Sequence, residues 1–292
     1  MLKQRLFVAL VSMVLTVAWS VAQAIEEDFS IIRSYGLLAN ASYAGKSNAQ
    51  QACTGQGYEL THYGTASGVE AAYFLCSNHT NKNQIIAVRG TANVENIMVD
   101  ADFKLIEDEL IGTMLHSGFA ASASAIYKTI KPMLKRDYST NTTGHSLGGA
   151  VAMVLAMYLE HDGYQLGKVI TFGQPKVTNI MGARQYDNMD ITRIVTEKDM
   201  VPLVPPIDFM DIKKPDIYWH AGEELILLSG REYSTTSGIS SMLRAVQFFK
   251  EIPSEQNLQH HTMTLYLDLI EKKISRSDKV PFKTGISIYD MF

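Results

Sequence analysis

The pattern of apolar and polar positions divides the chain into alternating helical and extended segments. Apolar residues recur at helical spacing near Phe29–Ala44, from His116 to about Arg136, and in His261–Lys273. Ala150–Leu159 is apolar on nearly every side, which is typical of a helix buried against a sheet. We therefore predict helices in these four places.

Short β-rich runs lie between these helices and predict strands. They are Tyr58–Tyr63, Glu70–Leu75, Gln84–Arg89, Lys168–Phe172, Ile191–Val195, Tyr218–His220 and Glu224–Leu228. Strands that alternate with helices favour an α/β fold, with a central, mostly parallel sheet flanked by helices. The sequence contains no internal repeat and no Pro/Gly/Ser-rich linker, so we expect a single domain over residues 25–292.

Residues 1–24 have the pattern of a cleavable signal peptide. Lys3 and Arg5 precede the apolar run Leu6–Ala18, and small residues lead to a cut after Ala24. This run is shorter than the roughly 20 residues that span a bilayer, and no later run is longer. We expect an exported protein, secreted or periplasmic if the source is Gram-negative, with no transmembrane segment in the mature chain.

Composition removes several classes of partner and cofactor. The formal net charge is −4 and no basic run interrupts the chain, so nucleic acid is not an expected partner. Export favours a disulfide between the two cysteines, Cys53 and Cys76, because folding the intervening β-rich hairpin brings them toward the same end. No cysteine/histidine cluster indicates a metal site, and we expect no cofactor.

The segment Gly144–Gly149, GHSLGG, contains the pattern G-x-S-x-G. Glycines suit a very tight strand-to-helix turn, which exposes the serine hydroxyl of Ser146 and points the following amide toward the same place. The predicted strand that enters this turn, Ser139–Thr143, is polar, although buried central strands are usually apolar.

A serine hydroxyl is a weak nucleophile without a base. In α/β-hydrolases the catalytic residues follow one another along the chain in the order serine, acid, histidine. His260 and His261 precede the last predicted helix, and neighbouring side chains there cannot both face the serine. His220 is a further alternative base. Asp199 follows a predicted strand, with Glu197 as its near competitor.

Several short motifs, in this order, resemble the class 3 (fungal-type) lipase family of the α/β-hydrolase superfamily. The motifs are Ala87–Thr91, His116–Phe119, Gly144–Gly149, Thr171–Pro175, Asp199–Pro202 and Tyr218–Gly222. The resemblance implies Ser146 as nucleophile, Asp199 as the acid, and His261 as the base, with Tyr266 five residues later. It also implies an oxyanion hole formed by Thr91 and the Leu147 amide, and no cofactor.

The same resemblance implies a secreted lipase that hydrolyses acylglycerols. The expected partner is thus a lipid or ester substrate, which the enzyme meets at a lipid–water interface. The alternatives are a phospholipase A1 or a soluble, feruloyl-type esterase on the same machinery, and a non-catalytic lipid-binding protein. Two segments are candidates for a lid: an apolar face formed by Val94, Ile97, Met98 and Ala101, and the stretch Leu105–Leu115.

Overall fold

The computed structural model describes residues 27–66, 71–90, 103–205, 217–238, 240–241 and 259–282. The predicted signal peptide, the oxyanion candidate Thr91 and the first lid candidate therefore lie outside the described residues.

The main sheet has a parallel centre and antiparallel flanks. Its strands are β1 (Glu59–Thr65), β2 (Ala72–Asn78), β3 (Asn83–Val88), β6 (Ser139–His145), β7 (Gln165–Phe172), β9 (Ile191–Thr196), β11 (Glu223–Leu227), β12 (Glu232–Thr236) and β13 (Asp278–Lys279). Among the described residues they pair in the order β1-β2-β3-β6-β7-β9-β11-β12-β13. The five strands from β3 to β11 run parallel, whereas β2 pairs antiparallel with β3 and β12 antiparallel with β11. The predicted mostly parallel centre is confirmed.

Helices cover both faces of this sheet. The helices are α1 (Phe29–Ala41), α2 (Gly45–Thr54), α3 (Ser117–Ile130), α4 (Leu147–His161), α5 (Ile180–Gln185) and α6 (Met263–Ile274). Apolar residues of α3 and α4 form one core cluster against the sheet, and those of α1 and α6 form the second on the other face. Every residue of α4 from Gly148 to Leu159 is buried, as its uniformly apolar sequence predicts.

Two predicted helices differ in extent from the observed ones. The segment predicted as Phe29–Ala44 is helical only to Ala41, because a turn follows and Gly45, the first residue of α2, adopts a positive φ of 81°. The helix predicted to reach Arg136 ends at Ile130 and continues as a short 3₁₀ turn, because Pro132 lacks the N–H that a further helical turn needs.

The polar strand β6 is largely buried, and several of its side chains form hydrogen bonds with neighbouring elements. Asn141 Nδ2 donates to Asn83 Oδ1, while its Oδ1 accepts from Tyr35 Oη at 2.9 Å and from the Lys168 amide at 2.8 Å. The pairing between β6 and β7 shifts register at this point, and the Asn141 side chain bonds the amide of the displaced strand. Polar side chains such as Asn141 are tolerated in this central strand because the fold supplies them with partners, whereas Thr142 Oγ1 is buried with no partner among the described residues.

Four short strands form a second, smaller sheet. Its strands, in the order β10-β8-β5-β4, are β10 (Tyr218–Trp219), β8 (Thr178–Asn179), β5 (Met114–His116) and β4 (Leu105–Glu107). The second lid candidate, Leu105–Leu115, is therefore not a helix: it contains β4 and the start of β5. Asp108 is buried in the connecting loop and accepts a hydrogen bond from Tyr158 on α4.

Cys53, at the end of α2, and Cys76, in β2, form a disulfide, as the sequence predicts. Within the described part of the chain, no helix is both long and apolar enough to cross a membrane.

Candidate active site

Ser146 occupies a strained turn between β6 and α4. Its backbone has φ 59° and ψ −133°, a conformation that costs a residue with a side chain of order 1–3 kcal/mol. The Ser146 amide donates to the Phe172 carbonyl of β7 at 2.9 Å, which fixes the turn to the neighbouring strand. A Cβ added at Gly148 would lie 2.3 Å from the Val88 carbonyl oxygen, so this position requires glycine. The turn therefore has the geometry that the G-x-S-x-G motif predicts.

Asp199 and His261 meet beyond the ends of β7 and β9. Asp199 Oδ2 lies 2.7 Å from His261 Nδ1, and both side chains are almost fully buried, with 0% and 3% of their surface exposed. Gly173 separates them from β7: with φ 56°, a Cβ there would lie 2.7 Å from His261 Cε1 and 2.9 Å from Asp199 Oδ2. Only glycine leaves room for this pair.

The surroundings of Asp199 stabilise its charged form. Burial alone would raise the pKa of this carboxyl, but His261 beside it and three hydrogen bonds outweigh burial and hold the pKa below its ordinary value. The hydrogen bonds come from His261, from Tyr266 Oη at 2.5 Å and from the Val201 amide at 2.9 Å. Asp199 is thus an ionised group that can orient an imidazole.

Two reactive atoms in this region are buried and make no hydrogen bond within the described residues. They are Ser146 Oγ and His261 Nε2, the nitrogen opposite the one that contacts Asp199. His261 lies near the turn, because its ring centroid is 4.4 Å from that of His145, the residue before Ser146. The structure thus brings together the predicted serine, acid and histidine.

The amide of Leu147 is the first in α4, so it has no acceptor within the helix and is available to an oxyanion. Gly90, which precedes Thr91, lies directly beside the serine: a Cβ at Gly90 would be 3.0 Å from Ser146 Cβ. Thr91 itself lies outside the described residues.

The alternative residues occupy other environments. His260 is half-buried, and its carbonyl accepts a hydrogen bond from Thr196 Oγ1. His220 Nε2 donates to the Pro202 carbonyl, in the loop that follows Asp199, at 2.7 Å. Glu197 is exposed. Among the described residues, the Asp199 carboxylate hydrogen-bonds to His261 and to none of these three side chains.

Two residues that sequence reasoning missed also lie at the site. Tyr43 Oη is 2.8 Å from His145 Nδ1, and His145 Nε2 is 2.7 Å from the His261 carbonyl oxygen. His145 fills a variable position of G-x-S-x-G, and the motif does not determine the direction of its side chain. Tyr43 follows α1 in a turn, and no sequence signal connects it to a serine more than a hundred residues later.

The model of the class 3 lipase family matches residues 85–209, a range that contains Ser146 and Asp199 and ends before His261. This match confirms the resemblance to the class 3 lipase family that the sequence predicts.

Individual relatives extend this result. The chain is 32% identical over 172 residues to the secreted mono- and diacylglycerol lipase 1 of Fusarium solani, covering 56% of this chain and 50% of that protein. It is 26% identical over 145 residues to the chloroplastic phospholipase A1 PLIP2 of Arabidopsis thaliana, covering 44% of this chain and 20% of that protein. The matches thus span half or less of the length of these relatives.

Among solved structures, the nonglycosylated LIP2 lipase of Yarrowia lipolytica superposes with a TM-score of 0.60 at 25% identity, covering 70% of this chain and 81% of that chain. This likeness confirms the predicted α/β-hydrolase fold.

Proposed function

We propose that this protein is a carboxylic-ester hydrolase that cleaves acylglycerols through an acyl-enzyme on Ser146. The observation that carries the proposal is the buried His261–Asp199 pair, 2.7 Å apart, beside a serine held in a strained strand-to-helix turn. Buried charge and backbone strain both cost stability, and they commonly persist where a reaction needs them.

In the first half of the reaction, Ser146 Oγ attacks the ester carbonyl while His261 Nε2 takes the hydroxyl proton. Asp199 holds the Nδ1 proton of His261 and stabilises the imidazolium that forms. The imidazolium then returns the proton to the departing alcohol, which leaves Ser146 acylated. General-base assistance of this kind contributes about 10²–10⁴ in rate.

In the second half, water attacks the acyl-enzyme with His261 again acting as the base. The tetrahedral species collapses, Ser146 recovers its proton and the fatty acid leaves. In both halves the Leu147 amide, at the N-terminus of α4, donates to the oxyanion. Thr91 is proposed as the second donor, since the residue before it, Gly90, lies against Ser146.

The acylglycerol substrate is supported by the Fusarium solani relative, which is named a secreted mono- and diacylglycerol lipase. A second candidate is phospholipase A1 activity on the same serine, because the Arabidopsis thaliana relative carries that name. Both reactions hydrolyse a carboxylic ester of a lipid and require no change in the triad. We also propose that the chain is exported, in keeping with its predicted signal peptide and its relative's secretion.

The test is hydrolysis of a series of p-nitrophenyl esters of increasing acyl length by wild type and Ser146→Ala. We expect the alanine variant to lose nearly all turnover while remaining folded. Diacylglycerol emulsions and phosphatidylcholine vesicles, assayed by fatty-acid release, then separate the two candidates. Undiminished turnover by Ser146→Ala would exclude the serine mechanism, and release from phosphatidylcholine alone would favour the phospholipase.

A further inference from the structure

Two hydrogen bonds and one close contact connect three loops at the site that are distant in sequence. Gly90 packs against Tyr43 Oη, since a Cβ on this glycine would lie 2.5 Å from that oxygen, and Tyr43 Oη lies 2.8 Å from His145 Nδ1. His145 Nε2 then lies 2.7 Å from the carbonyl oxygen of His261. These contacts thus join the loop after β3, the turn before the serine and the loop that carries the proposed base.

The direction of both hydrogen bonds follows from the groups that they join. The His261 carbonyl oxygen can only accept a hydrogen bond, so His145 Nε2 carries a hydrogen and donates the bond. Burial, followed by repulsion from His261, lowers the pKa of His145 to about 3, so the ring is neutral and Nδ1 accepts from the Tyr43 hydroxyl. One neutral tautomer therefore satisfies all the groups.

This arrangement fixes the backbone on both sides of the reacting atoms. Asp199 holds the ring of His261, whereas His145 holds the main chain of the same residue. Gly90, one residue before the proposed oxyanion donor Thr91, lies against both Tyr43 Oη and Ser146 Cβ, so the Tyr43 hydroxyl limits where Gly90 can lie. The same two side chains, Tyr43 and His145, therefore contact both the loop that carries the base and the residue that precedes the oxyanion donor.

We infer that Tyr43 and His145 are positioning residues for the proposed hydrolysis, and that they align the base loop and the oxyanion loop by a hydrogen-bonded relay. The inference rests on the proposed function, because it assigns these residues to the same serine reaction. Neither residue transfers a proton to the substrate. They act through the backbone of Gly90 and His261.

The first test is Tyr43→Phe, with Tyr35→Phe as the matched control. Tyr35 is also a tyrosine whose hydroxyl makes a buried hydrogen bond, but its partner is Asn141. Both variants lose one hydroxyl, so a purely structural effect lowers the melting temperature of both. Small displacements of catalytic groups reduce turnover by as much as about 10²-fold, and we expect Tyr43→Phe to lower kcat about 10- to 100-fold with KM nearly unchanged. We expect Tyr35→Phe to keep the wild-type kcat.

The second test compares His145→Gln with His145→Leu. It does not depend on Tyr43→Phe and therefore tests the inference even if that variant does not fold. Glutamine retains an N–H donor that can reach the His261 carbonyl, whereas leucine removes both hydrogen bonds. We expect the glutamine variant to keep at least about tenfold more kcat than the leucine variant, again at similar KM.

The outcomes distinguish the inference from the proposed function when Ser146→Ala is assayed beside them with p-nitrophenyl butyrate. If Ser146→Ala is inactive but Tyr43→Phe matches Tyr35→Phe in kcat, and the two His145 variants are equal, the relay is refuted and the hydrolase stands. Full turnover by Ser146→Ala would remove the hydrolase reaction itself.

Discussion

The hydroxyl of Tyr266 donates a hydrogen bond to Asp199 Oδ2, the same oxygen that contacts His261 Nδ1. Tyr266 lies in α6 and is fully buried, and its oxygen also accepts from the Thr196 amide. The helix that follows the proposed base therefore also fixes the acid. This arrangement gives a physical reason for the five-residue spacing between His261 and Tyr266.

Replacing Tyr266 with phenylalanine should remove one of the hydrogen bonds that hold Asp199 in place and leave the others. A hydrogen bond to a charged group contributes about 1.5–3 kcal/mol, so we expect kcat to fall at most about 10- to 100-fold. The Val201 amide and His261 still bond to Asp199 in this variant. Steady-state kinetics with a soluble ester measure the effect, and an unchanged kcat would mean that the Tyr266 bond has no part in the reaction.

The two adjacent histidines should behave differently. We expect His261→Ala to lower kcat by at least about 10²–10⁴-fold, because it removes the general base. His260→Ala should stay within about a factor of two, because the His260 contact with Thr196 uses its backbone carbonyl, which alanine retains. Parallel assays of the two variants check this prediction, and the opposite order would assign the base to His260.

The buried His145 predicts a specific pH dependence of stability. Its folded-state pKa of about 3 lies below the ordinary value of 6.5, so between these pH values the unfolded chain binds a proton that the folded chain does not. Stability therefore falls as pH decreases from about 6.5 toward 3, with His145 contributing up to about 1.4 kcal/mol per pH unit.

Urea unfolding of wild type and His145→Gln from pH 4 to 7 tests this slope. Glutamine does not titrate, so the difference in unfolding free energy between the two proteins should shift in favour of the variant as pH falls. A difference that does not change with pH would show that His145 does not titrate as proposed.

Asn141 should be important for stability rather than for the reaction. Asn141→Ala leaves the Tyr35 hydroxyl and the Lys168 amide without their acceptor, and each unsatisfied buried group costs about 1–3 kcal/mol. We expect a loss of roughly 2–6 kcal/mol in urea unfolding at unchanged KM. Asn48→Ala, at an exposed asparagine, is the control and should change stability by less than about 0.5 kcal/mol. Equal losses in both variants would contradict the account of the polar strand.

The sequence predicts the elements better than the contacts between them. Periodicity identifies the buried helix α4, and the small residues around Ser146 identify the turn, because these features depend on local sequence. The support for Asn141 could not be predicted, since its partners come from α1, β3 and β7 and meet only in the folded sheet. Tyr43 was missed for the same reason: its hydrogen bond to His145 spans 102 residues.

The most direct test of the central claim is covalent trapping of the nucleophile with diethyl p-nitrophenyl phosphate. We expect one equivalent of p-nitrophenol to be released as turnover stops, and peptide mass spectrometry to place the diethylphosphoryl group on Ser146. Ser146→Ala should release none. Labelling of another residue, or full turnover with Ser146 labelled, would contradict the account.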